Sequence, residues 1–180
     1  MRILKEYTIG LVIDIQERLI PVIEESEQLI ENCIKLIQGF QILGLPFLVT
    51  QQYTKGLGET VGEIKAAIKD FQYIEKKDFS CYDEPVVAEK LAVSGVENVI
   101  LCGIEAHVCV LQTAIDLKEA GYNPVVVMDC VSSRSFDNVD LAAERFRYEG
   151  VMMTSLESIL FELTRSAAAP EFKEISKLVK

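Results

Sequence analysis

Histidine is almost missing from this sequence: His107 is the only one. The five cysteines, Cys33, Cys81, Cys102, Cys109 and Cys130, contain no Cys-x-x-Cys pair. Zinc sites draw on His, Cys and carboxylate ligands at short spacings, so the shortage argues against one. Basic residues are scarce too, with 18 Lys and Arg against 28 Asp and Glu and a net charge of −10. Nucleic acid and anionic membranes are held by neutralising Lys and Arg, so bulk charge argues against both partners. No uninterrupted apolar run nears the roughly 20 residues of a membrane span. The opening Met1-Arg2-Ile3-Leu4-Lys5-Glu6 meets charge too early for a secretory leader. An odd set of cysteines without a pairing pattern suits a reducing compartment, so a cytoplasmic chain with free thiols is expected.

What is present is enough for a core. Hydrophobic residues make up 49% and charged residues 26% of 180 positions, a globular composition. The length fits one domain spanning 1–180, with no linker or internal repeat. Strands are predicted at Ile9–Ile13, Pro46–Thr50, Gln72–Glu75, Asn98–Cys102, Pro124–Met128 and Val151–Met153. Runs such as Val99-Ile100-Leu101 and Val125-Val126-Val127-Met128 are apolar on both faces, as in strands covered on both sides of a parallel sheet. Helices are predicted at Ile20–Leu43, Thr60–Lys69, Pro85–Ser94, His107–Ala120, Asn138–Tyr148 and Ser155–Leu163, with another amphipathic helix in the tail Pro170–Lys180. Gly44, Gly95, Gly121 and Gly150 fit helix C-caps that return the chain to the sheet. Six β-α units with right-handed crossovers give a three-layer α/β/α, Rossmann-like fold with a six-stranded, mostly parallel sheet.

In such a sheet, reactive residues gather at the carboxyl ends of the strands, near a switch in strand order. The polar residues predicted there are Asp14 and Gln16, then Gln51, Gln52 and Tyr53, then Lys76 and Lys77. Glu105 to Cys109 follow the fourth strand, and Asp129, Ser132, Ser133 and Arg134 the fifth. Cys109 opens a predicted helix, where unpaired N–H groups and the dipole favour thiolate and can receive an oxyanion. Each residue also has an ordinary explanation. A free cysteine is most often a small buried apolar group, an Asp at a strand end is often a turn residue, and Lys76 beside Lys77 reads as solvated charge. Taken together they make chemical sense, because an acid can carry the thiol proton and a nearby ammonium favours both anions.

Three motifs resemble the isochorismatase-like cysteine hydrolase superfamily, which includes nicotinamidases. They are Asp14-Ile15-Gln16, Lys76-Lys77-Asp78-Phe79-Ser80 and Gly103-Ile104-Glu105-Ala106-His107-Val108-Cys109-Val110. Thr50 to Gly58, Asp129 to Arg134 and Ala169 to Ile175 are similar to the isochorismatase-domain-containing subgroup. The resemblance implies a catalytic triad of Asp14, Lys76 and Cys109, with Lys76 rather than Lys77 four positions before Ser80. It also implies a cis peptide between Ile104 and Glu105, with the Glu105 and Cys109 N–H groups as oxyanion hole. Gln16, Gln52, Tyr53 and Phe79 are expected to wall the substrate pocket.

Two departures from that pattern matter. Where metal-binding nicotinamidases carry Asp and His, this chain has Gln52, Tyr53 and Thr54, so neither metal nor other cofactor is expected. His107 stands two positions before Cys109, where neighbouring side chains on a helix point well apart at about 100° per residue, so a place at the helix start or a supporting place behind the site is expected for it rather than that of base. The expected activity is hydrolysis of an amide-like C–N bond in a small molecule through a thioester. The alternative is an interaction module that keeps the fold with little or no turnover. The helix Val139–Glu149 and segment Val151–Phe161 are denser in apolar residues than one sheet face requires, Leu141, Phe146, Met152, Met153 and Phe161 among them. That density predicts a homo-oligomer, a dimer or a multiple of dimers.

Overall fold

A computed structural model describes all residues, Met1–Lys180. Six strands form one all-parallel sheet: β1 Thr8–Ile13, β2 Phe47–Gln52, β3 Ile74–Lys76, β4 Asn98–Ile104, β5 Asn123–Ser132 and β6 Met152–Thr154. Their spatial order is β3-β2-β1-β4-β5-β6, so the direction of winding reverses between β1 and β4. The helices are α1 Ser26–Leu43, α2 Thr54–Leu57, α3 Gly62–Ala67, α4 Pro85–Ser94, α5 Leu111–Glu119, α6 Phe136–Glu149, α7 Leu156–Thr164 and α8 Phe172–Leu178.

Alternation along the strands divides the core in two. On β4, Ile100, Cys102 and Ile104 join α1, α3, α7 and α8 on one face, while Val99 and Leu101 join α4, α5 and α6 on the other. Both faces are covered, which is why these strands read as continuous apolar runs. The long helix α1 presents Leu29, Cys33, Leu36, Ile37 and Phe40 inward at spacings of three and four, all buried. Gly44 and Gly150 end α1 and α6 in the left-handed conformation, each N–H returning to carbonyls of the last turn.

Several predicted boundaries move. The stretch Ile20–Leu43 is not one helix: a single turn at Ile20–Val22 is separated from α1 by Glu25 at φ 47°. The fifth strand runs on to Ser132, because between Leu101 and Gly103 of β4 it advances from Val126 to Val131. This irregularity turns Asp129 away from the rim of reactive residues, and its Oδ1 instead accepts the Leu156 N–H at the start of α7, 2.7 Å away. The apolar surplus in α6 and the following segment is mostly core. Phe146, Val151, Leu156, Ile159 and Leu160 are buried, Met152, Met153 and Phe161 are half-buried, and Leu141 lies open to solvent.

Candidate active site

The switch point sets Asp14, just past the end of β1, beside the chain leaving β4. Gly103 makes the approach possible. It pairs with Ile13, and a Cβ added to it would lie 2.0 Å from the Ile13 carbonyl oxygen at a φ of 115°, a space and a conformation open only to glycine. The next peptide, Ile104–Glu105, is cis. Asp14 itself has φ 50°, the left-handed region that Asp enters more readily than most residues. Across β2, Lys76 at the end of β3 pairs in register with Gln52, so the side chains from three strand ends meet.

Cys109 is not at the start of a regular α-helix, as its sequence position suggested. It lies in a π-helical turn, Ala106–Val110, whose Val110 N–H reaches back to the Glu105 carbonyl, and α5 begins only at Leu111. Such widened turns recur at functional sites. The Glu105 N–H, just before that turn, donates to no protein acceptor. Cys109 is 7% exposed, while Cys33, Cys81, Cys102 and Cys130 are all at 0%. It is therefore the one cysteine with any solvent exposure.

Lys76 Nζ stands 2.7 Å from Asp14 Oδ2, with both side chains wholly buried. Nζ also donates to three oxygens, Gln52 Oε1 (3.2 Å), the Asp78 carbonyl (3.0 Å) and the Phe79 carbonyl (3.1 Å). Asp14 Oδ1 accepts from Thr50 Oγ1 at 2.8 Å, whereas Oδ2 is a buried oxygen without a hydrogen-bond donor. The Lys76–Asp14 contact is thus a buried ion pair. Burial alone would pull the Lys76 ammonium down, but the Asp14 charge turns the net shift upward.

Cys109 Sγ lies within hydrogen-bonding reach of Asp14 and donates to Gln52 Oε1 at 3.2 Å. Burial pushes its thiol well above the ordinary range, the Asp14 charge pushes it further, and Lys76 opposes both. The sulfur thus lies beside a carboxylate whose Oδ2 faces the Lys76 ammonium and accepts no hydrogen bond. Cys81, behind Thr50 at 3.6 Å, is likewise pushed up to about 12, first by burial and then by Asp14.

The sequence-predicted residues Asp14, Lys76 and Cys109 are therefore brought together, with Gln52 among them. Gln16 does not face outward: it is fully buried, and its amide is spent on Gln52 and Gly58 backbone. Tyr53 and Phe79 flank the Gln52–Lys76 pair in sequence and are exposed, at 51% and 53%. His107 Nδ1 sits 2.9 Å from Ser133 Oγ, away from the sulfur. Sequence reasoning missed the partner of the Glu105 side chain. Burial would raise its pKa, but Arg134 donates to it from its backbone, Nε and Nη2, and the net shift is downward. It missed Thr50 as well, though a polar residue ending the apolar run Leu48-Val49-Thr50 was a signal. No three His, Cys, Asp or Glu side chains converge as a metal-ligating group.

A parallel sheet of this order, with reactive side chains outside its switch point, defines a doubly wound α/β protein. Within that class the isochorismatase domain profile matches residues 8–158, and the chain belongs to the isochorismatase family. Isochorismatase domain-containing protein 2 of Danio rerio is 39% identical over 169 residues, 94% of this chain and 85% of that protein. The secreted isochorismatase effector Isc1 of Phytophthora sojae is 38% identical over 184 residues, 99% of this chain and 87% of that protein. The solved structure of the MAR1 ribonuclease from Caenorhabditis elegans superposes with a TM-score of 0.94 at 38% identity, covering 99% of this chain and 92% of that one. At the coarse level, the family supports a small-molecule hydrolase.

Proposed function

We propose that the protein is a cysteine hydrolase that cleaves an amide-like C–N bond in a small molecule through a thioester on Cys109. The observation that carries this reading is Asp14 Oδ2, ion-paired with Lys76 but accepting no hydrogen bond, beside the one cysteine with any solvent exposure. Asp14 takes the S–H proton as Sγ adds to the substrate carbonyl carbon, and the carbonyl electron pair moves onto oxygen. The N–H groups of Glu105 and Cys109 receive that oxyanion, and the free Glu105 donor supports the role. Collapse of the adduct breaks the C–N bond, and the leaving nitrogen takes the proton back from Asp14. Water then adds to the thioester with Asp14 again as base, and Asp14 returns the proton to the departing sulfur. Lys76 keeps one positive charge next to whichever group is anionic. Tyr53 and Phe79 are the apolar walls in this reading.

A ribonuclease activity is the second reading, prompted by the name of the solved relative. The net charge of −10 disfavours it, because phosphate backbones are held by clustered Lys and Arg. The deciding experiment is a panel of small amides and hydroxamates with a single-stranded RNA oligomer alongside, using Cys109→Ala as blank. Turnover of an amide that vanishes in the blank supports the proposal. RNA cleavage that survives in the blank, with no amide turned over, rejects it.

A further inference from the structure

Gln52 closes β2 and touches both reactive partners of Asp14. Its Oε1 accepts from Lys76 Nζ and from Cys109 Sγ, each at 3.2 Å. Its Nε2 donates to the Lys77 carbonyl at 3.3 Å. Its backbone is clamped by Gln16, whose Oε1 accepts the Gln52 N–H at 2.7 Å and whose Nε2 donates to the Gln52 carbonyl at 3.0 Å. Chemistry fixes which way round the Gln52 amide lies, since the reverse orientation would set an NH2 group against an ammonium and an oxygen against a carbonyl. A neutral acceptor is thus held rigidly at the sulfur, while the charged acceptor Asp14 Oδ2 carries no hydrogen. The thiol has one proton and two acceptors within reach, the neutral Gln52 carbonyl oxygen at 3.2 Å and the charged Asp14 carboxylate.

We propose that Gln52 is a positioning residue that parks the Cys109 S–H on its Oε1 in the resting protein, so that transfer of this one hydrogen bond to Asp14 Oδ2 begins the reaction. The second half of the statement rests on the function proposed above; the first half does not. The groups facing the sulfur are Asp14 past the end of β1, Lys76 of β3, and Cys81 ahead of α4. Glu105 and His107 lie on or beside its own turn, and their side chains are engaged by Arg134 and Ser133. Gln52 alone offers a neutral acceptor at hydrogen-bond distance. A hydrogen bond to the neutral form of an acid keeps the proton on it, so loss of the Gln52 carbonyl should make the thiol ionise more readily.

The test follows alkylation of Cys109 by iodoacetamide against pH, on the full chain, read by intact mass with native circular dichroism as control. Gln52→Met keeps the length of the side chain and removes the carbonyl. Its alkylation midpoint should fall by about half a pH unit or more, with the rate near neutral pH up about threefold. Gln52→Glu keeps the shape and adds a charge, and its midpoint should rise. A purely structural role would lower stability and leave both midpoints in place. Midpoints equal to wild type in both variants, or an increase in Gln52→Met, would overturn the assignment. If Gln52→Met does not fold, the isosteric Gln52→Glu decides alone, by a raised midpoint or an unmoved one. Alkylation needs no substrate, so shifted midpoints in a protein that turns over no amide would reject the proposed function and keep the role of Gln52.

Discussion

Cys109 sits 7% exposed between a carboxylate and an ammonium, and burial raises its thiol before either charge acts. A thiol held neutral needs a base, and Asp14 Oδ2 is the acceptor in place. Cys109→Ala should abolish turnover, and Asp14→Asn should lower kcat by a factor of about 10² or more, measured as initial rates on the best amide of the panel. Stability separates the roles of the residues. Lys76→Met strands Asp14 in a fully buried position, and breaking a buried ion pair costs about 3–5 kcal/mol. Asp14→Asn leaves Lys76 its three oxygen acceptors and should cost less. Urea unfolding should therefore rank Lys76→Met as the least stable of the three, with Cys109→Ala close to wild type. An unchanged midpoint for Lys76→Met would mean that the pair does not hold the site together.

The site is assembled by the ends of elements, and there the sequence is only partly legible. The two-sided apolar runs and the glycines after helices mark the parallel sheet and its crossovers well, because burial on both faces and left-handed caps leave residue-type signatures. Alternation does not show where β5 stops, since the register shift opposite Gly103 is set by the neighbouring strand. The π turn at Ala106–Val110 leaves no signature either, as Ala, Val and Cys suit an ordinary helix equally well. The Glu105–Arg134 pair joins residues 29 positions apart and depends on how β5 ends. Gly103 is the hinge of the arrangement. Gly103→Ala must push a Cβ into the Ile13 carbonyl, 2.0 Å away at positive φ, and should destabilise by at least about 3 kcal/mol. Gly62→Ala at the start of α3 meets nothing within 4 Å and should be neutral or stabilising by up to about 1 kcal/mol. Equal unfolding midpoints for the two would show that β1 and β4 tolerate more separation than their register implies.

Over the whole molecule, all five thiols are held above their ordinary values. The sign of the consequence is fixed. Above about pH 8.5 the unfolded chain releases thiol protons that the folded chain keeps, so the unfolded state gains. The thiol contribution should be fully present below that pH and decline as pH rises through about 9 and 10, read as a falling urea midpoint. A flat profile would mean that the thiols ionise in the folded state. Self-association is also our proposal, now confined to a smaller surface. Leu141 and Tyr148, two helical turns apart on α6, are 59% and 85% exposed. Light scattering should give a dimer or a multiple of dimers, with Leu141→Glu shifting it toward 20.2 kDa. A 20.2 kDa species that persists in wild type as concentration rises would exclude that contact. In the proposed reaction all the chemistry passes through the Cys109 sulfur. Acid-quenched intact-mass measurement during turnover of an amide tests it most directly. Turnover through the sulfur gives an adduct of the acyl mass on Cys109 that decays with product formation and is missing in Cys109→Ala. Product release at the wild-type rate by Cys109→Ala, with no adduct in either protein, would contradict it.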